Sequence, residues 1–266
     1  MRLNLVYYGA HTPAIDARIR KIKPQYVIMN TLHGLWGEIY SRNVLQDTTD
    51  YKAAGTKVIG YLTAGYEGAG STGNIDPKWY TLETNLRLIK NMAEIDHVDG
   101  IFIDECSAFP GNSSRTYLKT LTDLAHSYGL ITWGNVGQDL FDTWYFTEGG
   151  FDLMQSSEDW QGQDLSHVQR DWGYRISVTG YKSTYTAQDA FNLTIDAWKK
   201  GLAYCYINDA GYDSISSWLE EYTGLLLEYN KISNTNKISS MPLLVYSRYA
   251  TCGRIARNRN ISSLVL

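Results

Sequence analysis

DGIFIDE, residues Asp99 to Glu105, is the stretch on which the fold turns. Three consecutive apolar residues, Ile101, Phe102 and Ile103, carry it into a sheet, and two carboxylates, Asp104 and Glu105, stand together where it leaves. Before it, residues 77–95 place Leu82, Leu86, Ile89 and Met92 at three- and four-residue steps, the period of an amphipathic helix. After it, a second helical stretch covers 113–128, and Gly129 is positioned as its C-terminal cap. A β-rich run between two longer amphipathic stretches is the unit of a parallel sheet with covering helices.

Followed outward, the alternation gives eight such units, with strands expected over residues 3–8, 25–30, 57–63, 100–105, 130–135, 151–156, 174–179 and 202–208, and a last helix over 214–229. Eight units favour closure into a (β/α)8 TIM barrel, because a closed sheet leaves no edge strand. An open doubly wound α/β sheet is the alternative. No GxGxxG or GxxxxGK[ST] opens a helix after any strand, which disfavours nucleotide binding. One catalytic barrel is expected over residues 1–230, a routine length for this architecture. Residues 231–266 break the pattern, being rich in Ser, Asn and Arg with one short apolar run at 243–246, and are expected to form a basic tail.

Composition narrows the class. With 44% apolar and 20% charged residues, the chain matches globular proteins rather than disordered or membrane ones. No run reaches the roughly 18 to 20 apolar residues needed to cross a bilayer. Residues 1–9 read as a strand and not as a leader, so a cytoplasmic product is expected if Met1 is the true start, and a secreted one if the start lies upstream. Cys106, Cys205 and Cys252 lie far apart, which gives neither a CxxC motif nor a disulfide framework. Six of the 24 Lys and Arg, and none of the 28 Asp and Glu, fall in 231–266, so the body before them carries a formal charge of about −10. An acidic body is accounted for by solubility, or alternatively by attraction for a cationic substrate such as a partly deacetylated amino-sugar polymer; no nucleic-acid partner is expected.

In a barrel the reaction centre is assembled at the C-terminal ends of the strands, which singles out polar residues just after apolar runs. Strand side chains alternate in direction, so Asp104 and Glu105 both face the pocket only if the backbone turns after Asp104. A solvated strand end or an ion pair to a helix would account for a lone Asp there; adjacent carboxylates after a buried run favour chemistry. The run FDLMQSSEDW, Phe151 to Trp160, supplies Glu158 after the sixth strand. Glycosidic cleavage needs two carboxyl groups flanking the bond, one protonated and one ionised, and Asp104 with Glu158 fit those roles. Glu158 and Asp159 also fit a simple helix cap.

A content of 8 Trp and 21 Tyr agrees with a saccharide partner, whose rings stack on flat apolar faces that carry a polar tip. Tyr8, Trp36, Tyr61, Tyr66, Trp133, Trp160 and Tyr181 are placed near the open face, with core packing as the competing account of each one. Asn30, Thr63, Asn135, Gln155 and Asn208, at or near strand ends, join them as substrate-binding candidates. His11 and His33 follow strands one and two, but neither has a partner at metal-ligand spacing, so a polar lining or loop role is expected of each, His11 joins the substrate-binding candidates, and no metal or other cofactor is implied. A Gly-x-Ser-x-Gly elbow is absent.

Three segments, AAGTKVIGYLTAGYEG (Ala53 to Gly68), DGIFIDECS (Asp99 to Ser107) and FDLMQSSEDW, resemble the spherulin-4-like proteins, grouped among the glycoside hydrolases as family 135. With the βα order the likeness covers most of residues 3–210. It implies a (β/α)8 barrel and endo-hydrolysis of α-linked galactosamine or N-acetylgalactosamine polymers. The family's paired Asp and Glu match Asp104 and Glu105, and its later Glu matches Glu158, with Gln155 near where an acid is alternatively expected. The resulting expectation is retaining hydrolysis with Asp104 as nucleophile, Glu158 as acid and base, and Glu105 holding charge and orientation. The rivals are a carbohydrate-binding barrel without catalysis and a polysaccharide deacetylase.

Overall fold

A computed structural model describes residues 2–40, 44–65, 76–108, 112–136, 142–155 and 164–237. Eight parallel strands close into a barrel in chain order: β1 (Arg2–Tyr7), β2 (Tyr26–Met29), β3 (Lys57–Thr63), β4 (Gly100–Asp104), β5 (Ile131–Asn135), β6 (Leu153–Gln155), β7 (Ile176–Tyr181) and β8 (Tyr204–Asn208). Every expected strand is present, with ends displaced by at most about two residues. Helices α1 (Pro13–Ile22), α2 (Leu35–Tyr40), α3 (Thr49–Ala53), α4 (Leu82–Glu94), α5 (Arg115–Ser127), α6 (Trp144–Thr147), α7 (Ser166–Trp172), α8 (Ala187–Lys199) and α9 (Leu219–Lys237) accompany them. The fold is a (β/α)8 TIM barrel.

Local chemistry sets the helix ends. The stretch expected as one helix over 77–95 is a 3-10 turn, Pro77–Tyr80, followed by α4, because the Thr81 hydroxyl accepts from Thr84 N–H and starts a new helix there. Ser114 caps α5 in the same way, and Gly129, at φ +73°, ends it as expected. Thr186 and Asp189 form a capping box on α8. The barrel is one unit through Leu225; from Leu226 the chain belongs to a second unit, helical as far as Lys237. Residues 238–266, most of the expected tail, lie outside the described residues.

Interior side chains stack in layers drawn from alternate strands. The strand registers place Asn4, Ile59, Trp133 and Ser177 in one layer, and Asn4 Nδ2 reaches Ser177 Oγ across it at 3.5 Å. Tyr26 and Tyr204 lie beneath, their rings 5.5 Å and 5.8 Å from that of Trp133. Above come Ile28, Phe102, Gln155 and Tyr206, then Val6, Tyr61, Asn135 and Thr179, and at the mouth Asn30, Asp104 and Asn208. The two uppermost layers are the most polar, so the C-terminal end of the barrel is lined by hydrogen-bonding side chains above a packed core.

The seam between β1 and β8 has only two register pairs, Arg2 with Tyr204 and Leu3 with Cys205. Contacts outside the wall reinforce it. The Arg18 guanidinium on α1 makes a forked pair with Glu220 at 2.7 and 2.6 Å and donates to Ser216 O at 2.9 Å. Tyr8 N–H donates to Tyr212 O at 2.6 Å, and the Asp213 carbonyl lies so near Gly9 that a Cβ there would sit 2.1 Å from its oxygen.

Candidate active site

Asp104 ends β4 and points inward at the mouth. The ladder to β5 explains how its neighbour joins it. Ile131 N–H donates to Asp99 O, and continued alternation would bring the Glu105 N–H to Asn135 O. Cys106 N–H takes that oxygen instead, at 2.9 Å, leaving Glu105 as an extra residue in a bulge. Its backbone is left-handed, φ +51°, and its freed N–H donates to Asp104 Oδ1 at 2.9 Å. This is the turn after Asp104 that strand alternation requires before both carboxylates can approach one pocket.

Each carboxylate has its own donors. Asp104 Oδ1 also accepts from Asn135 Nδ2 at 2.8 Å, and Oδ2 accepts from the Tyr61 hydroxyl at 2.8 Å. Glu105 Oε2 accepts from Thr63 Oγ1 at 2.8 Å. Behind Thr63, buried Asn85 donates to its carbonyl at 2.9 Å and to Tyr117 Oη at 2.7 Å, while Tyr117 donates to Tyr80 O. Gly65, at φ +50°, turns the chain off β3 and donates to Thr63 Oγ1; a Cβ there would lie 2.4 Å from the Tyr80 ring. The end of β3 is thus fixed from outside the barrel.

Burial pushes the Asp104 carboxyl above its ordinary value, while the donors Tyr61, Glu105 N–H and Asn135 pull against it. Burial also raises Glu105, opposed by Thr63 and reinforced by the charge of Asp104. Both acids therefore resist ionising through burial while their donors favour the charged form, the opposing pulls found where carboxyl groups are tuned for chemistry.

Aromatic rings line one side of the pair. Tyr8 meets Tyr61 edge-on at 4.8 Å, Trp36 on α2 stacks over Tyr61 at 6.5 Å, and Tyr212 lies 5.9 Å from Tyr8. Asn30 donates to Tyr8 O at 3.2 Å, and Asn208 Oδ1 accepts from Ala210 N–H at 3.2 Å. Asn30 Oδ1, Gln155 Oε1, Thr179 Oγ1 and Asn208 Nδ2 are buried without a hydrogen-bond partner among the described residues. Thr179, missed in the sequence, follows from alternation once β7 is seen to run through Tyr181, which is exposed at the rim.

Two expectations are corrected. Trp133 is fully buried, its ring packed between Tyr26 and Tyr204, because it stands one turn of the alternation below Asn135 and so faces the core. His11 leaves the mouth: its Nδ1 lies 3.0 Å from Asp16 Oδ1 and its ring packs on Tyr7 at 5.5 Å, outside the wall, where Tyr51 also donates to Asp16. Thr63 and Tyr61 come to the mouth, but their hydroxyls are engaged with Glu105 and Asp104. His33 Nδ1 lies 2.6 Å from Asp96 Oδ1. Tyr66, Glu158 and Trp160 lie outside the described residues. Among the described residues no three His, Cys, Asp or Glu side chains gather as metal ligands, and no helix is long and apolar enough to cross a membrane.

No protein-family model matches the chain, and no curated protein matches it. Solved structures do resemble it. A chitinase from Chromobacterium violaceum ATCC 12472 superposes with a TM-score of 0.54 at 11% identity, over 85% of this chain and 99% of that one. The GH18 chitinase ChiB of Flavobacterium johnsoniae gives 0.52 at 10% identity, over 84% and 93%. Deoxyribose phosphate aldolase from Aeropyrum pernix gives 0.51 at 14% identity, over 84% and 90%. These likenesses establish the barrel; since glycosidases and an aldolase share it, the chemistry must be argued from the site.

Proposed function

We propose that this protein is a glycoside hydrolase that cleaves an amino-sugar polysaccharide of the α-linked galactosamine or N-acetylgalactosamine type, as its likeness to spherulin-4-like sequences implies. The observation that carries the reading is the paired carboxyl group at the mouth: Asp104 fixed by Tyr61, Asn135 and a backbone N–H, with Glu105 turned beside it by a bulge. Tyr8 and Trp36 offer ring faces to a sugar, and Asn30, Gln155 and Asn208 offer amides to its hydroxyls.

In this mechanism Asp104 attacks the anomeric carbon while Glu158, assigned from the sequence, protonates the departing glycosidic oxygen. The resulting glycosyl ester is hydrolysed by a water that Glu158 deprotonates, which restores both groups and retains configuration. Glu105 holds charge and orientation at Asp104. Retention calls for carboxyl groups roughly 5 to 5.5 Å apart.

Incubation with galactosamine, N-acetylgalactosamine and N-acetylglucosamine polymers, with products read by mass spectrometry, tests the proposal. Release of oligosaccharides from a galactosamine-type polymer is expected, with Asp104→Asn and Glu158→Gln each lowering turnover by orders of magnitude in folded protein. Binding without cleavage would select the non-catalytic alternative, and near-normal turnover in either variant would remove that residue from the mechanism.

A further inference from the structure

Tyr61 stands among the residues expected to touch substrate, yet its hydroxyl is committed to Asp104. Building on the hydrolase reading, we propose that Tyr61 is a positioning residue that leaves Oδ2, and not Oδ1, as the attacking oxygen of Asp104. An ionised carboxylate offers roughly two acceptor sites on each oxygen. Oδ1 fills both, accepting from Asn135 Nδ2 at 2.8 Å and from the Glu105 N–H at 2.9 Å. Among the described residues Oδ2 accepts from Tyr61 alone and keeps one site for the anomeric carbon.

Packing makes that donor directional. Tyr8 contacts the Tyr61 ring edge-on at 4.8 Å, Phe102 lies at 6.0 Å and Trp36 at 6.5 Å, and the side chain is only 7% exposed. The ring has no room to swing aside, so the hydroxyl holds Oδ2 at one angle and directs its remaining lone pair into the mouth. Burial also keeps the phenol well above its ordinary value, so it donates throughout the working range and never competes as a base. The titratable groups facing this arrangement are Glu105 beyond β4, Tyr8 beyond β1 and Cys106 behind Asp104. Neither Asp104 nor Glu105 makes an ion pair among the described residues, so Tyr61 is a main source of support for the charge.

The test is Tyr61→Phe, which keeps the ring and its packing. Asp104 is titrated directly by carbon NMR of labelled aspartate carboxyls, assigned with Asp104→Asn, beside a pH profile of kcat/KM on the polymer that the wild type cleaves. Removing a donor to a charged acceptor should move the Asp104 titration up by about one pH unit, carry the acidic limb with it, and lower kcat about tenfold with KM nearly unchanged. An unshifted titration with unchanged kcat would overturn the proposal by reducing Tyr61 to packing. A raised KM with preserved kcat would overturn it by returning Tyr61 to substrate binding. If the wild type cleaves nothing while the titration still shifts, the hydrolase reading fails and with it the attacking role of Oδ2; Tyr61's hold on Asp104 is then all that stands.

Discussion

Replacing Glu105 by Ala and by Gly separates the backbone strain at this position from the chemistry of its carboxylate. Glu105 adopts φ +51°, a conformation that costs an L residue roughly 1–2 kcal/mol and costs glycine almost nothing. Glycine loses about 0.5–1 kcal/mol more than alanine on folding, through its freer unfolded chain. Both variants lose the carboxylate and its bond from Thr63, so those effects cancel between them. Glu105→Gly should therefore exceed Glu105→Ala in stability by about 0.5–1 kcal/mol, at any pH. Against the wild type a pH dependence appears. Because the carboxyl is raised in the fold, its favourable contribution is present at low pH and is lost as pH rises through the folded value. Both substitutions should thus compare better with the wild type at pH 8 than at pH 4. Urea denaturation at the two pH values reads both quantities from the midpoints. Equal stability of the Ala and Gly variants would refute the strain, and a larger relative gain at pH 4 would refute the electrostatic account.

Two further outcomes follow from the layers and from the outer surface. Trp133→Ala, which empties a fully buried site among Tyr26, Phe102 and Tyr204, should cost about 3–5 kcal/mol in chemical denaturation, whereas a substrate-facing Trp133 would show its loss in KM instead. His126→Gln removes a half-exposed pair with Asp152 in which His126 is raised and Asp152 lowered. Its destabilisation, a few tenths of a kcal/mol, should be present near pH 6 and fade as pH rises through the folded histidine value; an equal loss at pH 9 would assign it to packing.

The strands were legible because each is a short β-rich run closed by polar residues; KVIGYLT, Lys57–Thr63, was delimited correctly from sequence alone. The face of each strand was legible too, since alternation fixes it once one inward residue is known. Depth was not. Trp133 and Asn135 share a face, but which reaches the mouth depends on how the registers shift around the closed wall, a property of all eight strands together. His11 was misplaced for a different reason: its position after β1 says nothing of Asp16, five residues on, which draws the ring against α1. The adjacency of Asp104 and Glu105 marked them as the candidate pair, and the requirement for a turn between them was visible, whereas the donors Tyr61, Asn135 and Thr63 come from other strands and carry no local signature of that service.

The seam between β1 and β8 also bears on how the molecule is made. Arg18 and its partner Glu220 are 202 positions apart, so at synthesis rates of about 5–20 residues per second the first strand waits about 10–40 s for the contact that secures it. During that interval the nascent sheet has two open borders, each with unpaired amides able to capture another extended chain. Translation arrested before Tyr204 would leave that condition permanent, because no earlier strand is available to cover β1.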